Sequence, residues 1–459
     1  MDTSEKLKTM PVGKLIVAMS VPAMFSMLIQ SLYNIVDSMY VSKISPTAFN
    51  AVSLAYPIQL LILAFSIGIG VGTSSLISRK LGEQKKDEAN NVAKMGIIIA
   101  IVVSLMFFVL SFIVSKPFFK LMTNDSEVIN IGSGYMFIVM AFSAFSIIEL
   151  TSSRILQGIG NMIVPMICQL VGAITNIILD PIFIFNLNLG VNGAAIATII
   201  GQALAMSLSI SVFIFRKQVV NINPIGVKFN KTHFNQILNV GLPVTIMNSI
   251  SSLTTATLNT LLSTSFPTEE LGKAAVNVLS VYFKLQSFVF MPIFGMNQGG
   301  MPILSYNYGA NIKDRFKKAL SIMLFTGFTI MIIGFIAFQF ATNLLLDIFE
   351  PDTNMITIGL KALPIISFSF IPAVFSIIFA TSFQAIGHGF KSLFMSLFRQ
   401  VIILIPSSII LSKISPNDIW YAYATAETLT ALIFVPIAIF SIKKAFNIKE
   451  IEKKLILNN

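Results

Sequence analysis

Charge is scarce in this chain of 459 residues: charged side chains make up 11% of it, against 55% apolar ones. A soluble surface needs about a quarter or more of its residues charged, so the solvent for most of this chain is lipid. Cysteine is reduced to a single residue, Cys168, which excludes an intramolecular disulfide and reads as a small core residue. The only two histidines, His233 and His388, fall in polar stretches read as cytoplasmic loops, and there is no P-loop, HExxH or Cys/His cluster. The chemistry of a membrane-embedded enzyme is missing, no cofactor is implied, and without an ATP site any uphill transport has to be secondary.

What is present is a succession of apolar stretches, each of roughly 20 residues or more, the length that spans about 30 Å of hydrocarbon as a helix. Twelve are found, near 14–42, 51–78, 95–119, 128–156, 164–186, 191–215, 237–265, 275–304, 319–346, 355–386, 391–412 and 417–442. The first is longer than a signal-peptide core and lacks a convincing cleavage site, so it is expected to stay in the mature protein. Lys and Arg are distributed unevenly: with the N-terminus inside, 22 lie on the cytoplasmic face and 6 on the other. That asymmetry predicts a multi-pass plasma-membrane protein with both termini cytoplasmic. It also accounts for the net charge of +11 without nucleic acid, since the basic loops RKLGEQKK and KDRFKK are short and poor in stacking aromatics.

The chain is also internally duplicated. A shift of 227 residues lays Ser53, Gln59, Gly68, Gly72, Ser78, Gly82 and Asp87 on Ser280, Gln286, Gly295, Gly299, Ser305, Gly309 and Asp314. Further on it lays Gln157 and Gly160 on Gln384 and Gly387, and it superposes the loop RKLGEQKKD on YNYGANIKD. Six spans per half make the repeats parallel, which predicts an all-α integral membrane protein of twelve helices in two pseudo-symmetric lobes. The expected division is residues 1–215, a polar cytoplasmic linker at 216–236, and 237–459. Two like-oriented bundles with a seam between them suggest alternating access by rocking.

Four acids, Asp37, Glu149, Asp180 and Glu427, and three bases, Arg154, Lys284 and Arg399, fall inside predicted spans. A charge at a helix centre costs on the order of 2.5–3.5 kcal/mol on insertion scales, so these residues face a bundle interior or water. In TNIILDPIFIF, Asn176 precedes Asp180 by one turn, and Gln169 with Gly172 and Ala173 continues the stripe backward. Pro181 removes the amide that would bond the carbonyl of Ile177. Carboxylate, amide oxygen and freed carbonyl suit a hard cation such as Na⁺; without one, burial favours protonation. The bland alternative is that Asp-Pro simply ends the helix at the interface. In the first span Gln30, Asn34 and Asp37 share a face above Pro22. Thr198 sits in the small-residue stretch GAAIATIIGQ, where taken alone it reads as a back-bonded threonine.

Together YNIVDSMYVSKI, GIGVGTSSLISRKLG, TNIILDPIFIF, GVNGAAIAT and SLFRQVIILIP resemble the multidrug and toxic compound extrusion family over nearly the whole chain. The resemblance implies a cation-coupled antiporter that exports lipophilic, often cationic compounds. It also implies a cation site, for H⁺ or Na⁺, on Asp37, Asn176, Asp180 and Thr198. Some members place acids in the seventh and tenth helices, and here those positions hold none. The seventh span instead lines up Asn248, Ser252, Thr255 and Asn259, a polar face suited either to a wet cavity or to a tight helix contact.

Gln30, Asn34, Asn248, Thr255 and Asn259 are thus candidate substrate-cavity residues, and Arg399 with Glu427 is a candidate buried structural pair. Glu149 and Arg154, five apart on one helix, are expected to face different ways, and Lys284 to snorkel or pair. Forty Phe and 22 Met would give a soft cavity for varied small lipophilic or cationic substrates. The lipid bilayer is the other partner, and a monomer is expected. Rival readings are a lipid-linked oligosaccharide flippase of the same superfamily, which a large cationic cavity would favour, and a passive channel.

Overall fold

The computed structural model describes residues 3–349 and 351–458, with the side chains of 3, 4, 34, 35, 38 and 452–458 left aside. After a short helix at Thr3–Thr9, the first lobe runs α1 (Val12–Ser42), α2 (Pro46–Gly82), α3 (Lys86–Met122), α4 (Ser126–Ala141 and Ala144–Gly158), α5 (Ile163–Pro181) and α6 (Gly190–Phe215). The second runs α7 (Lys231–Ser265), α8 (Glu269–Gly309), α9 (Lys313–Phe340), α10 (Thr353–Ser367 and Phe370–Ala385), α11 (Gly389–Leu397, a π turn at Phe398–Leu404, then Ile405–Ile414) and α12 (Tyr421–Asn458). Ten of these are single helices long and apolar enough to cross a membrane; the two bent pairs, each counted as one span, make twelve.

Several helices overrun the apolar runs that foretell them. Hydropathy sees only the hydrocarbon-compatible stretch, whereas α2, α3 and α8 continue into polar residues outside it. The linker ends earlier than its polarity suggests, because Asn230 caps α7: its side chain accepts from the amides of Thr232 (2.9 Å) and His233 (3.2 Å). His233 therefore lies in the first turn of a helix, buried, and not in a loop.

The 227-residue repeat is legible in the backbone itself. The bends of 42° in α4 and 50° in α10 fall at equivalent positions, and Asp125 and Asp352, also equivalent, cap the two helices with their side chains. Gln84 and Asn311 both adopt left-handed conformations (φ 62° and 58°), as do Gly160 and Gly387 (φ 89° and 85°). The turns that join equivalent helices are thus the same turns.

Across the seam between lobes α2 packs on α7 and α8 on α1 through small residues. A Cβ on Gly241 would stand 2.7 Å from the Gly68 carbonyl oxygen, and one on Gly299 would stand 2.7 Å from that of Met19. At the end of the seam that carries the basic loops, Gly82 abuts the Tyr306 carbonyl and Gly309 the Arg79 carbonyl, contacts that the repeat makes reciprocal. Ser75 donates to the Gln384 carbonyl at 2.8 Å nearby. Beside them Lys449 of α12 bonds Glu83 (2.9 Å) and the C-terminal carbonyls of α8, Tyr308 (3.2 Å) and Gly309 (2.8 Å). This end of the molecule is closed, and each lobe holds a cavity of its own.

Candidate functional site

The first cavity, about 480 Å³, is walled by α1, α2, α4, α5 and α6, with Gln298 of α8 reaching it from the other lobe. Asp180 stands behind its wall, fully buried, on the last turn of α5 before a π turn at Ile182–Asn186. Proline at 181 supplies no amide to the ladder, and the helix widens immediately after it. Asn176, one turn earlier and itself buried, donates through its side-chain amide to Asp180 Oδ1 (3.2 Å) and to the Thr198 hydroxyl oxygen of α6 (3.1 Å). That second contact needs α5 and α6 close together, and Gly172 and Gly201 allow it: a Cβ on Gly201 would lie 2.7 Å from the Gly172 carbonyl oxygen. Thr198 is therefore a member of a side-chain cluster.

Asp37 enters the same cavity from α1, with the Tyr33 ring one turn before it. The Tyr33 hydroxyl faces Thr198 and lies within electrostatic reach of both Asp37 and Asp180. Tyr33 and Asp37 are four residues apart and so share one helix face, a spacing visible in the sequence. Three buried oxygens here, Asp37 Oδ1, Asn176 Oδ1 and Asp180 Oδ2, have no hydrogen-bond partner in the protein. Each buried acceptor left so costs about 1–3 kcal/mol, so a cluster of three asks for a donor or a cation. Two carboxylates, an amide oxygen and a hydroxyl are oxygen ligands of the kind a hard cation takes, and either carboxylate can take a proton instead. Among the described residues no three His, Cys, Asp or Glu side chains gather as a metal site.

Gln30 lines this cavity and accepts from Gln169 at 3.2 Å. The side chain of Asn34 lies outside the described residues. Gln59 donates to the Tyr135 hydroxyl at 2.6 Å, a pair with no local signal in the sequence. Glu149 and Arg154 both line the cavity, because the space is wide enough to take side chains from well-separated directions on α4. Glu149 accepts from the Ser153 hydroxyl (2.7 Å), and Arg154 donates to Gln157 (3.3 Å).

The second cavity, about 440 Å³, is built from α7, α8, α10, α11 and α12, the equivalents of the helices around the first. Asn248 and Thr255 line it, with polar groups turned back to their own helix at Val244 (2.8 Å) and Ser251 (3.0 Å). Asn259 does not: it shares their helix face but stands a turn further on, past Leu258, where the cavity has ended. Arg399 and Glu427 meet at 2.8 Å, and Ser376 donates to the other carboxylate oxygen at 2.8 Å. Lys284 lies apart, its ammonium 5.5 Å from the centre of the Phe349 ring.

Duplicated six-helix lobes closed at one end, each with a cavity among its apolar spans, define a transporter rather than an enzyme. The MatE family model matches residues 22–182 and again 243–410. The chain belongs to that family, the multidrug and toxic compound extrusion transporters. It is 25% identical over 415 residues to the multidrug export protein MepA of Staphylococcus haemolyticus, 90% of each chain being covered. It is 23% identical over 404 residues to an FAD transporter of Shewanella oneidensis, covering 87% of this chain and 88% of that protein. A crystal structure of a MATE protein in complex with MaL6 superposes with a TM-score of 0.90 at 25% identity, over 96% of this chain and 98% of that one.

Proposed function

We propose that this chain is a secondary antiporter of the plasma membrane that exports small lipophilic, often cationic compounds in exchange for H⁺ or Na⁺. The observation that carries the reading is the set of three unpartnered buried oxygens on Asp37, Asn176 and Asp180, beside a cavity of drug-like volume. In the proposed cycle a coupling ion enters from outside, occupies these oxygens with Thr198, and weakens the hold of the first lobe on its cargo. Ion and cargo whose occupancies disfavour one another are coupled reciprocally, which is what exchange requires of the site. The membrane potential adds about 2.3 kcal/mol per net charge moved through 100 mV.

With the basic loops on the cytoplasmic side, as the distribution of Lys and Arg supports, the closed end of the seam is the inner one and the conformation faces outward. A single chain suffices for the cycle, since both cavities and the seam lie within it. The acids of the first cavity favour this reading over a flippase for lipid-linked oligosaccharides, for which a strongly cationic cavity would be the sign. The test is uptake of a fluorescent cation into proteoliposomes, with Na⁺ and pH gradients imposed separately. Accumulation against the dye gradient under one of them is expected. Mere equilibration under both would reduce the protein to a passive channel.

A further inference from the structure

The two cavities have equivalent walls but different unmet chemistry. Around Asn176 the unpartnered buried atoms are acceptors, and Arg154 Nε is an unpartnered donor elsewhere in the same cavity. In the second cavity the Tyr423 hydroxyl is buried without a partner, and Arg399 commits one N–H, on Nη1, to Glu427. The Tyr282 hydroxyl and Asn297 Oδ1 of the same cavity are unpartnered as well.

The Arg399–Glu427 pair is also lopsided. Both side chains line the cavity, but Glu427 is satisfied on both oxygens and 12% exposed, whereas Arg399 is 28% exposed and has N–H groups beyond the one it gives to Glu427. The carboxylate is saturated, and the guanidinium is the member with donors left for the space. A pair serving only to hold α11 to α12 has no need of a cavity in front of its cation. The π turn that carries Arg399 widens α11 at this residue, a local departure that often marks a working site.

A guanidinium offers further N–H groups in a planar fork, which matches the two oxygens of a carboxylate better than any point charge does. The tyrosine hydroxyl can donate to the same anion. Phe283, Phe290 and Phe294 of α8 supply an apolar aromatic wall for the rest of a ligand, and 440 Å³ is within the range of small-molecule sites. We propose that the second cavity binds the carboxylate of an amphipathic aromatic solute, with Arg399 as its receptor. This rests on the antiport reading only in taking the cavity as part of the cargo path. It deepens that reading by saying which lobe, and which side chain, holds the acid group of an aromatic cargo that carries one.

The experiment measures equilibrium binding of two probes to the purified full chain by fluorescence polarisation: a carboxyl-bearing rhodamine and its methyl ester, which differ in that group alone. No ion gradient enters, so a failure of ion-driven transport leaves the readout intact. The unaltered protein is expected to bind the acid about tenfold more tightly than the ester, in line with a charge-assisted bidentate contact. Equal binding, or tighter binding of the ester, overturns the proposal without any variant.

Arg399→Gln combined with Glu427→Gln keeps the pair's shape and neutrality and is expected to equalise the two probes. A double variant that melts as a folded protein and keeps the preference for the acid places the anion elsewhere, at Arg154 of the first cavity, and equally overturns it. Arg399→Lys, which keeps the charge and loses the fork, covers the case in which the double variant fails to fold. It is expected to lower affinity for the acid about threefold or more while leaving the ester unchanged, and equal effects on both probes count against the proposal.

Discussion

The two lobes are copies in backbone but carry different polar groups inside, and the contrast shows what duplication leaves free to vary. Under the 227-residue shift, Asp37 and Asp180 of the first lobe correspond to Thr264 and Ser407 of the second, and Asn176 corresponds to Ile403. In the other direction Arg399 and Glu427 fall on Gly172 and Ile200. Where α5 and α6 touch backbone to backbone at Gly172 and Gly201, α11 and α12 are joined by an ion pair. Bends, caps and left-handed turns recur because they set helix directions. The polar groups inside do not, because a buried charge is tolerated wherever it finds a partner or a space.

Four experiments would break or sharpen that contrast. The largest effect is expected from Asp180→Asn, which keeps the shape and removes the charge: gradient-driven dye uptake in proteoliposomes should fall at least about a hundredfold with the protein still folded, by analogy with the loss of other catalytic-site polar groups. Full activity would remove the first-lobe oxygens from the mechanism. Next comes Glu427→Ala, which leaves a mostly buried guanidinium alone; removing one member of such a pair costs about 3 kcal/mol. A thermal melt should show that loss, and a clearly smaller one when Arg399→Gln accompanies Glu427→Gln.

Third, Gly201→Val should part α5 from α6, pull Thr198 away from Asn176 and reduce ion-driven uptake about tenfold, with a smaller effect on dye binding, since 1–2 kcal/mol of overpacking is concentrated on that contact. Gly→Val at the equivalent place is not available in the second lobe, where Thr428 stands. Unchanged uptake in that variant would mean that the backbone contact does not hold the cluster.

The smallest effect concerns the closed end. Burial pushes the Glu83 carboxyl up, but Lys449 and Lys80 outweigh it and hold it below the ordinary glutamate value of 4.5. A carboxyl lowered on folding contributes its stabilisation above that value and loses it as pH falls through the lowered one. The hydrogen-exchange protection of residues 82–86, corrected for the intrinsic rate at each pH, should therefore be flat across neutral pH and fall only below about pH 4.5. A loss of protection near neutrality would assign the closure to another group.

Much of the architecture could be read from the sequence because lipid imposes simple rules: twelve spans follow from apolar length, and the duplication follows from a shift that aligned loops as well as helices. The cluster of Asn176 and Asp180 was legible for the same reason, being two residues one turn apart on one helix. What escaped were relations between helices and along bent ones. The pairing of Gln59 with Tyr135 joins residues 76 apart in sequence. Glu149 and Arg154 seemed to diverge on a helical wheel, which describes direction from the axis and not the width of the space beyond it. Asn259 was misassigned for the complementary reason, since a wheel has no length and the cavity ends before that residue is reached.

The reciprocal meeting of Gly82 with Tyr306 and of Gly309 with Arg79 is made by main-chain atoms at its points of closest approach. A lock of this kind has no rotamers to reset when it opens. If the halves rock as the proposed cycle has it, the side-chain bonds to be broken at this end are that of Ser75 to the Gln384 carbonyl and that of the lysine clasp at the rim to Glu83, which water can replace one at a time.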